Sequence, residues 1–296
     1  MQNRKSLTAL LAVAFTLAAC ATQGSHPASK PDKQAAAAAE HGHLHHVHLN
    51  VSDIAKTAAF YEHVFGVTQV QYGGRAPALM AERAFIFLKQ AKAPIASQLQ
   101  TGVIHIGWSG VDGPSEFAWW QKEGIEFYTP LTKFLTGHFM YLYGPDREVI
   151  EIWTVEKHHR FNHVHMLSPD PKATAEWFAR VTNSESPAAA DAGLPGYWKV
   201  DFGDVALDIL PDVPAFKPKE RTAAIQPTDG AGIDHIAFSF RDLDAAYARV
   251  KAQGVPIEKE IAADPTYGVR SFFVRAPNRV LVELAEAGPL PEVAWE

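Results

Sequence analysis

The chain has 296 residues but a single cysteine, Cys20, so a scaffold stapled by internal disulfides is excluded. It also lacks any run of Lys or Arg. With 27 basic against 33 acidic residues and a formal net charge of −6, it offers no basic face for a phosphate backbone, which excludes nucleic acid as a partner. No apolar stretch approaches the ~20 residues of a membrane-spanning helix. What is present is ordinary globular composition, 47% hydrophobic and 20% charged, with length enough for two compact units.

One short apolar stretch, LTALLAVAFTLAA from Leu7 to Ala19, follows Arg4 and Lys5 and has the length of a signal-peptide core. It ends in Leu17-Ala18-Ala19-Cys20, which resembles the lipobox of bacterial lipoproteins, where the cysteine is lipidated and becomes the first mature residue. The resemblance implies a signal peptide over 1–19 and an exported protein facing the periplasm or the cell exterior. Its only membrane attachment would be the lipid on Cys20; an ordinary cleaved signal peptide with an incidental cysteine is the alternative. Residues 20–42 mix Ala, Ser, Pro and Lys without an apolar period and read as a flexible tether, and 289–296 as a C-terminal tail.

HGHLHHVH, residues 41–48, then packs five histidines into eight positions. A solvated metal-scavenging tract and a strand carrying a metal ligand both fit that composition. Recurrence decides between them. HVHLNVSD runs from His46 to Asp53, HIGWSGVD from His105 to Asp112, HVHMLSPD from His163 to Asp170, and HIAFSFRD from His235 to Asp242. Each copy alternates like a half-buried strand and ends on an Asp placed to cap a helix. Amphipathic stretches such as AKTAAFYEHVFG and PKATAEWFARVT follow, and then strand-like runs such as FMYLYG, EVIEIWTV and VLVELAE. The unit is strand, helix and further strands, four times over.

This repeat resembles the vicinal oxygen chelate superfamily, which includes glyoxalase I, fosfomycin- and bleomycin-resistance proteins and extradiol dioxygenases. The resemblance implies an α+β fold of tandem βαβββ modules, forming two pseudo-symmetric curled-sheet barrels over 43–157 and 160–288. In the superfamily's enzymes, the first strands of paired modules each give a His and the last strand of the second module gives a Glu. Glu151 in REVIEIW and Glu283 in RVLVELA occupy that place, where an unpaired buried carboxylate would cost several kcal/mol, roughly. Taken in chain order, the candidate triads are His46, His105 and Glu151, then His163, His235 and Glu283. Two His and one carboxylate leave coordination sites open for substrate. One divalent metal per active barrel is implied, Fe(II) first, with Mn, Zn or Ni as alternatives.

His48 and His165 lie two residues beyond a candidate ligand and share its face, so each is placed to line a cup as a substrate group. His41, His43 and His45 read as solvated linker. Tyr141 stands ten residues before Glu151, a spacing at which the family's enzymes carry a substrate hydrogen-bond donor; Phe273 holds the matching place before Glu283. Asp208 falls at the position of a further glyoxalase-type carboxylate but reads as a solvent-facing residue of an edge strand. No histidine precedes His105 where dioxygenases carry an acid–base residue, and the parity of His138 opposes that of Tyr141. Arg147 and Arg279 replace a turn glycine that the family usually has. The expectation is a metal-dependent enzyme, extradiol-dioxygenase-like or glyoxalase-like, acting on a small oxygen-rich substrate. The alternative is a metal-free binding protein of the bleomycin-resistance kind, for which Trp108, Trp153 and Trp198 would suit a cup.

Overall fold

The computed structural model describes residues 40–154, 157–190 and 193–287. The expected signal peptide, Cys20, nearly all of the tether and the tail after 288 lie outside the described residues. Four βαβββ modules appear where the repeat places them. The first holds β1 (His43–Val51), α1 (Ile54–Phe65), β2 (Thr68–Tyr72), β3 (Ala76–Ala81) and β4 (Ala84–Gln90). The second holds β5 (Val103–Gly110), α2 (Gly113–Lys122), β6 (Phe127–Phe134), β7 (Gly137–Tyr143) and β8 (Val149–Thr154). The third holds β9 (Arg160–Ser168), α3 (Pro171–Thr182), β10 (Ala188–Ala189), β11 (Trp198–Asp201) and β12 (Ala206–Pro211). The fourth holds β13 (Ile233–Phe240), α4 (Leu243–Ala252), β14 (Ile257–Asp264), β15 (Val269–Arg275) and β16 (Leu281–Glu286).

The recurrent aspartates do what their position implies. Asp53, Asp112, Asp170 and Asp242 each accept a hydrogen bond from the backbone N–H three residues on. Each cap satisfies a donor the helix cannot satisfy itself, worth about 1 kcal/mol against Ala.

The strands form two eight-stranded sheets, in the orders β14-β15-β16-β13-β1-β4-β3-β2 and β10-β11-β12-β9-β5-β8-β7-β6. The sheets therefore do not divide the chain at 157/160. Module one shares a sheet with module four, through antiparallel β1 and β13, and modules two and three share the other through β5 and β9. Connection lengths give the physical reason. Only five residues separate β8 from β9, the two strands that flank β5 in one sheet. The longer segments 91–102 and 212–232 carry the chain between sheets, and they run side by side through bridges Ala96–Ala231 and Thr101–Gln226. One apolar cluster is shared by both sheets and the helices, including Val47, Tyr61, Ile106, Trp108, Val164, Phe178, Ile236 and Phe238.

Candidate metal centres in the two sheets

Each module's first strand carries a bulge immediately before its conserved-register histidine. The ladders skip His45, Ile104, Asn162 and Asp234 in turn. A bulge inserts one residue and turns it out of the regular alternation. The residue before the ligand candidate can thus reach that ligand's ring: His45 Nδ1 lies 2.9 Å from His46 Nδ1, Asn162 Oδ1 2.8 Å from His163 Nδ1, and Asp234 Oδ1 2.7 Å from His235 Nδ1. Fixing Nδ1 orients the ring and leaves Nε2 to face a cation. His45 is therefore buried and structural, not solvated linker, while His41 and His43 are exposed as expected.

The expected triads are regrouped by the sheet pairing. His46 does not meet His105 or Glu151, and His163 does not meet His235 or Glu283. In the sheet of modules two and three, Glu151 Oε2 stands 2.7 Å from His105 Nε2, 2.9 Å from His163 Nε2 and 3.7 Å from His165 Nδ1. In the sheet of modules one and four, Glu283 Oε2 stands 3.2 Å from His46 Nε2 and 3.0 Å from His235 Nε2, with His48 Nδ1 3.2 Å from His235 Nε2. His165 Nδ1 likewise lies 2.9 Å from His105 Nε2, so both HVH pairs present the same atoms. All six expected metal ligands are present in two clusters, each with a third histidine.

These donor sets fit a divalent cation. Donors held ~2.1 Å from one ion lie roughly 3–3.5 Å apart, and the separations here run from 2.7 to 3.7 Å. Buried His46 Nε2 lies off the line of a hydrogen bond to Glu283 and has no other partner among the described residues. Burial alone would raise the Glu151 carboxyl; the His105 imidazole and hydrogen bonds from the three histidines hold it well below the usual carboxylate range. Glu283 is held low against burial by its hydrogen bond with His235 and by the nearby His46 imidazole. Burial, against the opposing pull of Glu151, lowers His105 to about 4, so this ring is a neutral donor near pH 7. Gly107 is required opposite His163, because a Cβ there would stand 1.9 Å from the ring.

The two cups differ beyond their donors. A cavity of about 680 Å³ opens over the centre of modules two and three, lined by Tyr141, Glu151, Trp153, His163, His165, Tyr197 and Asp208 among others. Tyr141 pairs with Glu151 across β7 and β8, and its ring lies 4.9 Å from that of His105. Asp208 is not the solvent-facing edge residue expected. Its strand β12 is flanked by β9 and β11, it faces the cavity, and its buried Oδ1 has no hydrogen-bond partner. Burial, and then the charge and hydrogen bond of Asp208, push the Tyr197 hydroxyl well up. Asp208 stands opposite His165, and the two-residue β10 leaves β11, not β12, as the outer full strand.

In the other sheet Phe87 occupies the same register, opposite His48. Its ring stacks on His46 at 4.0 Å and on Tyr267 at 4.4 Å. Phe273 stands where Tyr141 stands in the open cup, paired with Glu283 and 5.3 Å from His235. Of the three tryptophans considered, only Trp153 lines the cavity; Trp108 is core, and Trp198 packs at the core's margin. His138 sits against Gly113 at the start of α2, outside the cavity lining. Arg147 and Arg279 adopt the turn glycine's conformation themselves, at φ 69° and 66°. Arg147 stacks on Tyr143 and pairs with Glu126, so neither the turn nor the arginine serves the cup.

Maize glyoxalase I is similar in fold, with a TM-score of 0.64 at 12% identity, over 83% of this chain and 92% of that one. A putative dioxygenase from Bacillus subtilis is similar with a TM-score of 0.60 at 16% identity, over 83% and 85% of the respective chains. No curated protein matches the sequence significantly. The sequence profile of the glyoxalase/bleomycin resistance protein/dioxygenase superfamily matches residues 43–152 and 160–284. With its four modules, paired sheets and two His/Glu clusters so accounted for, the chain belongs to that superfamily.

Proposed function

We propose that the chain is a divalent-metal-dependent enzyme acting on a small oxygen-rich molecule in the cup of modules two and three. The observation that carries this reading is the convergence of His105, His163 and Glu151 at the floor of an open cavity whose wall holds an unpartnered carboxylate oxygen. A cation there would polarise neighbouring substrate oxygens as a Lewis acid. His165 is placed to add a fourth donor or to touch the substrate. Tyr141 can donate its hydroxyl proton in a hydrogen bond to a substrate oxygen, since burial keeps that hydroxyl protonated. Asp208 can take a proton at Oδ1 from a substrate carbon or oxygen and return it, with Tyr197 holding the carboxylate in place. Proton transfer of this kind is the chemistry of a glyoxalase-like isomerisation, and Asp208 is the cavity-lining carboxylate placed to perform it.

The test is metal content per chain by elemental mass spectrometry, on full-length protein purified without oxygen or chelators. It is paired with turnover assays on catechol plus dioxygen and on thiol adducts of a 2-oxoaldehyde. Glu151→Ala is expected to lose the cup's metal and all turnover, and Asp208→Asn to keep the metal while turnover falls 10²-fold or more, roughly. A parent chain that binds no metal even after reconstitution overturns the proposal in favour of a metal-free sequestering cup.

Export and lipidation at Cys20 belong to the same reading and rest on the sequence LAAC alone. Among the described residues no helix is long and apolar enough to cross a membrane. Metabolic labelling with a radioactive fatty acid should mark the wild-type chain and not Cys20→Ser; equal labelling of both refutes the anchor.

A further inference from the structure

The second cluster has the donors of a catalytic-type centre without its access. We propose that the centre of modules one and four is a structural metal site, in which a divalent cation held by His46, His235 and Glu283, with His48 against His235, clamps the first module to the last. This goes beyond the chemistry assigned to the open cup and does not depend on it.

Burial, an unpartnered donor and the covering aromatic side chains carry the proposal. The donors are buried, with His46 only 1% exposed and Glu283 and His235 each 5% exposed. His46 Nε2 is aimed at the cluster with no hydrogen-bond partner among the described residues, a cost of burial that a cation would remove. Phe87 takes the register that Asp208 takes in the open cup, so an aromatic ring covers the donors where the other sheet presents a carboxylate. Tyr267 then stacks on Phe87, and its hydroxyl reaches 3.4 Å from His48 Nε2. Tyr72 closes the side with its hydroxyl 3.1 Å from His45 Nε2. The ring that would have to move to admit a substrate is itself part of an apolar cluster with Ala76, Ala78, Tyr267 and Val269.

The gain from such a site is topological. His48 and His235 are 187 residues apart in sequence. A cation shared between their strands closes that loop in the folded state only, and binding energy becomes folding energy.

The experiment uses the full chain, stripped of metal and titrated with cobalt(II) alone, followed by visible absorption and elemental analysis. Two cobalt ions per chain are expected. A chelator should remove one quickly and the other at least about tenfold more slowly, because the covered site must open locally first. Phe87→Ala should speed the slow release toward the fast one without abolishing binding. Glu283→Gln should lose the slow ion and lower the unfolding temperature. Glu151→Gln should lose the fast ion and keep the slow one. Two ions released at one rate, or a slow phase indifferent to Phe87→Ala, overturns the structural site. So does a single ion that disappears with Glu151→Gln. Should Glu283→Gln not fold, the wild-type and Phe87→Ala release curves still decide. If Glu151→Gln retains both ions, the open-cup function fails while the clamp can stand, so the two proposals are separable.

Discussion

Glu148 is almost fully buried, accepting a hydrogen bond from the Tyr61 hydroxyl on α1 and another from the Asp146 N–H. Burial pushes its carboxyl up from 4.5 to about 7. The folded-state value thus lies above the unfolded one, so folding favours the protonated form. The stability this brings is complete below about pH 4.5, declines as pH rises, and is gone above about pH 7, a change on the order of 3 kcal/mol. We expect the wild-type unfolding midpoint to fall from pH 5 to pH 8, and Glu148→Gln to remove much of that fall. An unchanged pH profile in the variant would show that another group is responsible. Gly107 is a residue-scale requirement of a different kind. Gly107→Ala pushes a methyl group into the His163 ring, and should cost 1–3 kcal/mol, roughly, and weaken cobalt binding in the open cup. A variant with wild-type affinity and unfolding temperature would mean that the ring has room the structure does not show.

At the scale of the strand, the four bulges explain both what the sequence reveals of the centres and what it hides. The ligands His46, His105, His163 and His235 and the capping aspartates were legible because each His–Asp pair recurs at one interval in an alternating strand, while the carboxylates Glu151 and Glu283 came from the resemblance to the superfamily. His45 was not, because strict alternation puts it on the face opposite His46. The signal was nevertheless present. HLHHVH contains two alternating series out of phase by one, and a phase slip inside a strand is what a bulge accommodates. Three of the four ligands are preceded by a polar residue able to fix a ring: His45, Asn162 and Asp234. Ile104 stands in that place before His105, and its apolar side chain cannot hold the ring by a hydrogen bond. Asn162→Ala should lower the open cup's cobalt affinity by 10–100-fold, roughly, as loss of an orienting partner does elsewhere. Titration of the metal-stripped protein reads this directly, and unchanged affinity would show that Glu151 alone sets the His163 ring.

For the molecule as a whole, the number and order of modules followed from the repeat, but their pairing did not. Any first strand can pair antiparallel with another of its kind, so four similar strands leave the partners open. The five-residue connection 155–159, against the longer 91–102 and 212–232, was the available clue that modules two and three share a sheet. It follows that the chain cannot be cut into independent halves there. Residues 40–157 and 158–287, made separately, should each lack cooperative unfolding, since β1 would lose β13 and β5 would lose β9. Mixing them should restore it. A half that melts cooperatively on its own would contradict the observed pairing.

The same nesting has a consequence for biosynthesis. Emerging N-terminus first, modules two and three can close their sheet once β12 is out, whereas β1 waits for β13, beginning at Ile233, with one long edge unsatisfied. Until β13 arrives, the histidine-rich first strand presents an unpaired edge, and a holding chaperone would find a target there.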